Sequence, residues 1–424
     1  MYYEAMTIAQ LEQEYNRVLS LFADCKAKKL NLNMACGKPA KAQLDLCKDI
    51  LTVLSDPSDC FDGNIDARNY GDLAGLPCAR AYWADLLGCK PEQTFVGGSA
   101  SLNLMYDVIS KAYTHGLLHS ERPWCKEEKI KFLCPAPGYD RHFRITESFG
   151  AELITIPMTA TGPDMDLVEA YAKDPAVKGI WCVPKYSNPD GIIYSDETIR
   201  RFASLKPAAP DFALMWDNAC AIHDLGAKGD KLADIFALSE KYGTEDRVFY
   251  YTSFSKVTYA GGAIAMMAMS LNNINIMKPI QAVRTIGYDK INQLRHLRFL
   301  KDEPTTRAHM QKHAAIVNRK FDILYRALEE GLGDLDIATW SKAKGGYFIS
   351  LNAMDGCAKR IHALCKEAGV VLTPAGATFP YGRDPRDRNL RLAPTFPPDE
   401  ELKQAAKVLV CAIKIASIDR LLGR

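Results

Sequence analysis

Apolar residues recur at helical spacing near the N-terminus and then in short runs separated by helical stretches. The first pattern predicts a helix over residues 6–29, with apolar positions at Ile8, Leu11, Tyr15, Val18, Leu19 and Phe22. The short apolar runs lie at 131–134, 153–156, 179–183, 212–216, 248–251 and 263–267. Helical patterns separate most of them, at 101–115, 139–149, 165–172 and 196–205. This alternation predicts an α/β fold with a mainly parallel sheet covered by helices on both faces.

Beyond Thr306 the pattern changes to long helices with few strands. We predict a helix to about Glu330, strands at 336–340, 346–351 and 389–393, a helix at 357–368 and a last helix from Pro398. These elements are typical of a smaller α+β domain. We therefore expect an N-terminal segment over residues 1–60 that contributes to the small domain, a large domain over 61–300 and a C-terminal small domain over 301–424.

The composition is that of a chain that can bury a sizeable core. Of its 424 residues, 48% are hydrophobic and 25% are charged, which excludes a disordered protein. The 53 basic and 51 acidic residues leave a net charge of +2, so we expect no nucleic-acid partner and no anionic membrane surface. The longest apolar stretch, at 263–269, is far shorter than the ~20 residues of a membrane-spanning helix.

The 13 cysteines are scattered singly from Cys25 to Cys411, with no C-x-x-C pair. The spacing therefore signals neither a zinc ribbon nor a redox dithiol, and disulfide frameworks are typical of short secreted chains. Residues 1–6 have neither the basic nor the apolar region of a secretory signal. We expect a cytoplasmic protein whose thiols are free and mostly packed.

Candidate chemistry lies just past the apolar runs, where α/β sheets bind ligands. Five positions stand out: the small-residue loop at 97–101, Tyr139, Asn188, Asp217 and Lys256. The loop could present backbone N–H groups to a phosphate at a helix N-terminus, and Tyr139 could stack on a flat ring. Asn188 could donate to a ligand oxygen, Asp217 could pair with a cation, and Lys256 could form a Schiff base.

Each position alone also has an ordinary structural explanation. The loop at 97–101 is typical of a helix N-cap, Tyr139 of a core residue, Asn188 of a turn, Asp217 of a cap and Lys256 of a surface lysine. Taken in chain order, however, the five match pyridoxal 5'-phosphate. Its phosphate, ring face, phenolic oxygen, ring nitrogen and aldehyde carbon need such partners in turn.

The motifs around these positions resemble those of fold-type I pyridoxal-phosphate aminotransferases, and more narrowly the MocR-like aspartate aminotransferase subgroup. The resemblance covers essentially the whole chain. The stretches that carry it are NYGDLAGLP at 69–77, GSASLNLM at 98–105, PGYDRHF at 137–143, NPDG at 188–191, WDNA at 216–219, SFSK at 253–256 and NLRLAP at 389–394. It implies a large domain with a mixed, mainly parallel sheet between helices, a smaller α+β domain, and a homodimer with shared active sites.

The resemblance also implies how the cofactor would be held. Lys256 would carry the internal aldimine, Asp217 would pair with the pyridinium nitrogen, Asn188 would hydrogen-bond the phenolic oxygen, and Tyr139 would stack on the ring. The matching phosphate-binding positions are Ser99, Ala100, Ser101, Ser253 and Ser255, and Tyr70 would reach the phosphate in the neighbouring subunit.

The implied substrates are an L-amino acid, with aspartate or glutamate as the donor, and a 2-oxo acid. Arg391 would bind the substrate α-carboxylate in a bidentate fork, with Gly37 close by.

Three positions depart from the family pattern. Cys220 stands among the cofactor-binding positions where related enzymes place a Tyr that donates to the phenolic oxygen, and a thiol is a weak donor. Cys36 stands where an Arg is expected beside Gly37, and Ile264 where many relatives carry a phosphate-binding Arg. Cys36 and Cys220 leave open an impaired enzyme. A lyase or decarboxylase reaction with the same cofactor is a separate alternative, of which Arg391 disfavours decarboxylation.

A transcription-regulator module is a remote alternative, because only 36 residues precede Gly37. The histidine pairs His309/His313 and His115/His119 have the i,i+4 spacing of helical metal sites. Neither pair has the H-E-x-x-H pattern, so we expect solvated helix faces and no metal. The basic stretches at 285–290 and 295–298 could form a second anion site or a subunit contact.

Overall fold

A computed structural model describes residues 2–424 of the chain. Its strands are β1 (Leu32–Asn33), β2 (Phe61–Asp62), β3 (Ile65–Asp66), β4 (Thr94–Val96), β5 (Lys131–Ala136), β6 (Glu152–Thr159), β7 (Gly162–Pro163), β8 (Val177–Cys182), β9 (Ala213–Asp217), β10 (Val248–Ser253), β11 (Ala265–Ala268), β12 (Ala338–Trp340), β13 (Ile349–Ala353), β14 (Val370–Val371) and β15 (Asn389–Leu392).

The α-helices are α1 (Ile8–Ala27), α2 (Lys41–Asp45), α3 (Pro77–Leu87), α4 (Ser101–Thr114), α5 (Asp140–Ser148), α6 (Met165–Tyr171), α7 (Asp196–Ala203), α8 (Ile235–Tyr242), α9 (Leu271–Arg284), α10 (Lys290–Leu300), α11 (Glu303–Leu332), α12 (Ala358–Glu367) and α13 (Asp399–Leu421). Short 3₁₀ turns lie at Tyr3–Ala5, Lys48–Leu51, Pro57–Cys60, Pro91–Gln93, Trp124–Lys126, Glu245–Arg247, Ala260–Gly262 and Pro380–Gly382.

The central sheet has eight strands in the order β4-β11-β10-β9-β8-β5-β6-β7. Strands β10, β9, β8, β5 and β6 pair in parallel. Strand β11 is antiparallel to both of its neighbours, and β7 is antiparallel to β6. The predicted α/β class with a mixed, mainly parallel sheet is therefore confirmed.

Both faces of the sheet are buried. Leu214 and Trp216 of β9 join one apolar cluster, whereas Ala213 and Met215 of the same strand join the other. This follows from the alternation of side chains along a strand. A parallel strand buried on both faces needs continuous apolar residues, which is why 212–216 is apolar throughout.

A third apolar cluster joins the two ends of the chain. Val18 of α1 shares it with Leu324 of α11, Leu409 of α13 and Leu351 of β13. Strand β1 pairs in parallel with β14, and β12, β13 and β15 form an antiparallel sheet. The N-terminal segment thus packs against residues from the last third of the chain.

The predicted helices and strands lie within a few residues of the observed ones, as α11 and β10 illustrate. The sequence pattern does not predict α2, α3, α8, α9 or α10. Helices α9 and α10 bury polar side chains, including Gln281, Gln293 and His296, which hides their apolar period. Within residues 2–424, no helix combines the length and the apolar character needed to cross a membrane.

Candidate active site

The carboxyl ends of the parallel strands bring the predicted site residues to one edge of the central sheet. Asp217 ends β9 and pairs in register with Tyr251 of β10, and Lys256 lies in the turn that follows β10. Asn188 lies in the loop after β8, and Tyr139 directly precedes α5 after β5. This is the edge at which open α/β sheets bind their ligands.

Asp217 is a buried carboxylate with one unsatisfied oxygen. Its side chain is nearly inaccessible, and its Oδ2 accepts a hydrogen bond from His142 Nε2 at 2.9 Å. Its Oδ1 has no hydrogen-bond partner among residues 2–424. A buried polar atom without a partner costs about 1–3 kcal/mol, and more when it is charged. The unsatisfied oxygen therefore indicates a donor that the chain itself does not supply.

His142 is fixed by aromatic packing. Its ring stacks on Trp181 with a centroid distance of 4.4 Å and an interplanar angle of 9°. The Tyr139 ring meets its edge at 4.8 Å. His142 and Tyr139 are close because they lie at the start of one helix, α5. The packing holds the His142 ring in one orientation and, through it, the Asp217 carboxylate.

Tyr139 remains a neutral phenol at physiological pH. Burial raises the pKa of its hydroxyl to about 12, and the Asp217 charge acts in the same direction. Tyr139 can therefore offer a flat, uncharged ring beside the His142–Asp217 pair.

Small residues form a loop at the start of α4. Gly98 has φ +68°, a conformation that favours glycine, and the Gly97 amide donates to the Ala265 carbonyl of β11 at 2.9 Å. The helix begins at Ser101, directly after Ala100. Backbone N–H groups at such a helix start attract anions.

The serines that follow β10 reach the same loop. Ser255 Oγ donates to the Ser99 carbonyl at 3.4 Å, and Ser253 Oγ donates to Ser255 Oγ at 3.0 Å. Ser99 thus comes together with Ser253 and Ser255, which lie far from it in sequence. Ile264 is packed in the apolar core instead.

Lys256 lies against Tyr347 and Cys220. Its Nζ is 5.4 Å from the Tyr347 ring centre, and the Tyr347 hydroxyl donates to the Lys256 carbonyl at 3.3 Å. Burial raises the pKa of the Cys220 thiol to about 11, against the opposing effect of the nearby Lys256 charge. Cys220 is therefore an uncharged thiol close to the lysine.

His223 is a buried histidine without a polar partner near Lys256. Both of its ring nitrogens lack a hydrogen-bond partner among residues 2–424. Its ring lies 5.8 Å from the Tyr347 ring, and burial lowers the pKa of His223 well below its usual range, with the Lys256 charge adding to the effect. The His223 ring is consequently neutral.

Arg391 is held by several partners. Its Nη1 donates to Asp140 Oδ1 at 2.8 Å and to Asn188 Oδ1 at 3.4 Å, and its Nε donates to Thr373 Oγ1 at 3.4 Å. The guanidinium also lies 5.1 Å from the centre of the Phe348 ring. These contacts fix the Arg391 plane and leave its Nη2 without a hydrogen bond to the described residues.

Gly37 packs against the edge of the same phenylalanine ring. A Cβ at this position would lie only 2.5 Å from Phe348 Cζ, so only glycine allows this close approach. The neighbouring Ala35 carbonyl accepts from Thr373 Oγ1 at 2.9 Å, which ties the segment to Arg391. Cys36 is exposed.

Tyr70 is exposed on the surface of its own chain, with 84% of the residue accessible to solvent. The neighbouring basic stretch is already engaged, because Lys290 Nζ donates to the Tyr70 carbonyl at 3.1 Å and to Asp72 Oδ2 at 2.7 Å.

The expectation of a solvated helix face is wrong for His309 and His313. Both are buried, because this face of α11 packs against the Lys256 turn and Gln43. His115 and His119 are both exposed, as expected, but His115 only caps the end of α4 and His119 lies beyond it.

Several residues of the site are not predicted from the sequence: Asp140, His142, Trp181, His223, Tyr347 and Thr373. Asp140 and His142 have a local signal, because they follow Tyr139 in the first turn of α5. The others are recognised only by contacts with residues distant in sequence.

Comparisons with known proteins agree with this geometry. A sequence model of the family described as aspartate amino-transferase matches residues 6–424. A protein of Mycolicibacterium smegmatis that is named as an aminotransferase is 45% identical over 405 residues, which cover 95% of each chain. The aspartate aminotransferase of Corynebacterium glutamicum is 42% identical, over 94% of this chain and 92% of its own.

Solved structures show the same relationship. The crystal structure of an aspartate transaminase from Corynebacterium glutamicum has a TM-score of 0.96 and 41% identity, and the match covers 99% of each chain. An alpha-aminoadipate aminotransferase of Thermus thermophilus, solved with N-(5'-phosphopyridoxyl)-L-leucine, has the same fold, with a TM-score of 0.75 and 20% identity over 92% of this chain and 95% of its own. The chain thus belongs to the aspartate aminotransferase family and is a pyridoxal-phosphate-dependent aminotransferase of fold type I.

Proposed function

We propose that this aminotransferase takes its amino group from an acidic L-amino acid, aspartate or glutamate, and passes it to a 2-oxo acid. The observation that carries the proposed site is the unpartnered Oδ1 of the buried Asp217, at the sheet edge that it shares with Lys256. The acidic donor is supported by the 42% identity to an aspartate aminotransferase over 94% of the chain.

The side chains at this edge fit the cofactor. When bound, pyridoxal phosphate supplies an electron sink for the bonding electrons left at the substrate α-carbon. Asp217 Oδ1 is free to accept a hydrogen bond from the ring nitrogen. Asn188 Oδ1 already accepts from Arg391, which leaves the Asn188 Nδ2 group to donate to the phenolic oxygen.

His142 acts on the cofactor through Asp217. Its Nε2–H occupies Oδ2, so the carboxylate can present only Oδ1 to the ring. The stacked Trp181 prevents rotation of the His142 ring. The pair thereby orients a negative charge where a protonated ring nitrogen needs it.

Lys256 would supply the amine that holds the aldehyde carbon of the cofactor. When free, its Nζ would take the proton from the substrate α-carbon and deliver it across the nitrogen to the former aldehyde carbon, which is a 1,3-proton shift. Tyr347 supports this role, because its hydroxyl holds the Lys256 carbonyl while its ring lies beneath Nζ.

The phosphate group would be bound by neutral donors. Ser99, Ser101, Ser253 and Ser255 offer hydroxyls, and the N–H groups at Ala100 and the start of α4 add a favourable dipole. The core position of Ile264 supplies no cation.

Arg391 would bind the substrate α-carboxylate. Its contacts with Asp140 and Thr373 orient the guanidinium, and Gly37 leaves space beside Phe348. The exposed Cys36 offers no positive charge on this side, so recognition of the α-carboxylate rests mainly on Arg391.

We propose a cytoplasmic homodimer as the working form. The 84% exposure of Tyr70 supports its role at the phosphate of the neighbouring subunit, and the 13 free thiols are in keeping with a reducing compartment. We also propose domain limits at residues 1–60, 61–300 and 301–424.

Absorbance spectroscopy tests the reaction and the role of Lys256. The cofactor-loaded protein is mixed separately with aspartate, glutamate, alanine and tyrosine under single-turnover conditions. The measured quantity is the decrease in the absorbance band of the cofactor bound to Lys256. We expect fast conversion with an acidic amino acid and release of its 2-oxo acid. Lys256→Ala should lack the band and the reaction, whereas the exposed control Lys241→Ala should keep both.

Three outcomes would count against parts of the proposal. If the absorbance band of the lysine-bound cofactor survives in Lys256→Ala, Lys256 is not the residue that binds the aldehyde carbon. Release of ammonia without a second oxo acid would indicate a lyase. A stable band that no amino acid converts would indicate that Cys36 and Cys220 leave the enzyme impaired. Light scattering of the same sample checks for the dimer.

A further inference from the structure

Three side chains that can bind metals meet behind the Lys256 turn. Cys47, His309 and His313 are all buried, and one donor atom of each lies within 4.8 Å of the others. His309 Nε2 is 3.0 Å from His313 Nε2 and 3.7 Å from Cys47 Sγ. The Val257 carbonyl oxygen lies 2.8 Å from His309 Nε2 and 3.5 Å from Cys47 Sγ.

These spacings are close to those of a tetrahedral zinc site. Zinc bonds of about 2.0–2.1 Å to nitrogen or oxygen and about 2.3 Å to sulfur place neighbouring ligand atoms roughly 3.3 Å apart, or roughly 3.6 Å where one of them is sulfur. The His309–His313 distance is about 0.3 Å shorter than this and the His309–Val257 distance about 0.5 Å shorter, whereas the two distances to Cys47 Sγ agree with it. Small side-chain shifts would centre an ion among the four atoms.

The hydrogen-bonding pattern of the cluster cannot be satisfied by neutral rings alone. Gln43 Oε1 accepts from the Ala40 amide at 2.9 Å, so Gln43 Nε2 must donate to His313 Nδ1 at 3.1 Å. The His313 proton then lies on Nε2 and points at His309 Nε2. That atom cannot both accept this proton and donate its own to the Val257 carbonyl.

We propose that Cys47, His309, His313 and the Val257 carbonyl bind a zinc ion. Mixed imidazole and thiolate ligands favour zinc in a reducing compartment. Both Nε2 atoms would then direct lone pairs at the ion, which removes their conflict with each other and with Val257.

Zinc binding would require the side-chain amide of Gln43 to flip, so that Oε1 and Nε2 exchange places. With its Nε2 bound to the ion, His313 carries its proton on Nδ1, and that proton needs an acceptor. The turned Gln43 oxygen would accept it, at the expense of the hydrogen bond from the Ala40 amide.

The ion would join three parts of the chain around the catalytic lysine. It would link the segment after α2, the long helix α11 and the turn that carries Lys256. Without the ion, His313 is already connected to the Lys256 carbonyl through Gln43 Nε2 and the Tyr347 hydroxyl, which lie 2.8 Å apart. The site would thus hold the Lys256 turn in place, without taking part in the reaction.

Direct metal analysis tests the proposal independently of activity. Cofactor-loaded protein is stripped with a chelator, mixed with equimolar zinc chloride, desalted and analysed by plasma mass spectrometry. We expect one zinc ion per chain in the wild type and in Cys365→Ala, a control at a cysteine that is equally buried. Cys47→Ala and His313→Ala should retain little zinc. No zinc in the wild type, or equal zinc in Cys47→Ala, would overturn the site.

Gln43→Glu provides a gain-of-function test that does not depend on removing a ligand. A carboxylate at position 43 can accept hydrogen bonds from both the Ala40 amide and His313 Nδ1–H. The variant therefore needs no flip of the kind that the Gln43 side chain would undergo. We expect zinc affinity to rise about 10–100-fold in competition with a chromophoric chelator. Unchanged or weaker binding would overturn the proposed arrangement. The amino acid single turnovers judge the aminotransferase reaction separately.

Discussion

Cys220 is the residue at which this chain departs most directly from the family pattern. Its Sγ lies beside Gly346, 3.7 Å from the place that a Cβ of that residue would occupy. Burial raises the pKa of the Cys220 thiol, which keeps the thiol uncharged. A tyrosine at position 220 would offer a hydroxyl to the phenolic oxygen of the cofactor. A hydrogen bond to a charged oxygen contributes about 1.5–3 kcal/mol. We therefore expect Cys220→Tyr to lower the cofactor dissociation constant by about tenfold or more, measured by fluorescence titration.

Cys220→Phe is the matched control, because it adds the ring without the hydroxyl. If the hydroxyl is what the site lacks, only the tyrosine variant should bind the cofactor more tightly. Equal affinities in the two variants would show that ring packing, not hydrogen bonding, sets the effect at this position.

A site residue can be predicted from the sequence when it lies just after the end of a strand that is itself recognisable from the sequence. Asp217 and Lys256 each follow a continuous apolar run, so position alone singles them out. Trp181 and Gln43 lie inside ordinary apolar or helical patterns. Their roles depend on contacts with His142 and His313, which only the folded chain brings near.

At the scale of elements, the buried strands are the most predictable, because both of their faces demand apolar residues. The direction of β11 is not predictable from its own residues, since an apolar run has the same pattern in either direction. Its antiparallel pairing follows from the connection at 254–264, which contains the 3₁₀ turn Ala260–Gly262 and is too short for the helical crossover between parallel strands. Helices that bury polar side chains, such as α10, have no clear apolar period.

Gly179 tests how closely the central strands are packed. A Cβ on this residue of β8 would lie 2.4 Å from the Ala213 carbonyl of β9 and 2.7 Å from the Phe132 ring of β5. The Ala213 backbone cannot move away without disturbing the pairing of β8 with β9. We therefore expect Gly179→Ala to destabilise the fold by about 1–3 kcal/mol. The measurement is the midpoint of urea unfolding, with cofactor retention as a second readout.

Gly226→Ala is the control for this strand variant, because its Cβ would meet nothing closer than 3.7 Å. The control should unfold close to the wild type. A Gly179→Ala protein as stable as the control would mean that β8 and β9 can separate without loss, contrary to their close packing.

At the scale of the whole molecule, buried histidines make stability depend on pH. Burial lowers the pKa of His296 to about 4, and it lowers the pKa of His223 well below its usual range. Each ring is neutral in the folded state and takes up a proton near pH 6.5 when unfolded. The unfolded state therefore binds more protons below pH 6.5, and the free energy of unfolding falls as the pH drops towards 4.

His296 isolates one such contribution, because it is not one of the proposed zinc ligands. Its ring nitrogens contact Thr258 Oγ1 and the Asn292 carbonyl, both at 2.8 Å. Between pH 7.5 and 5.5 it should account for a loss of about 1 kcal/mol in the free energy of unfolding. We expect His296→Gln, which can keep one of these hydrogen bonds, to reduce the pH-dependent loss by that amount in urea unfolding. His115→Gln, at an exposed ring, should leave the loss unchanged, and an equal effect of both variants would assign the acid sensitivity to groups other than buried histidines.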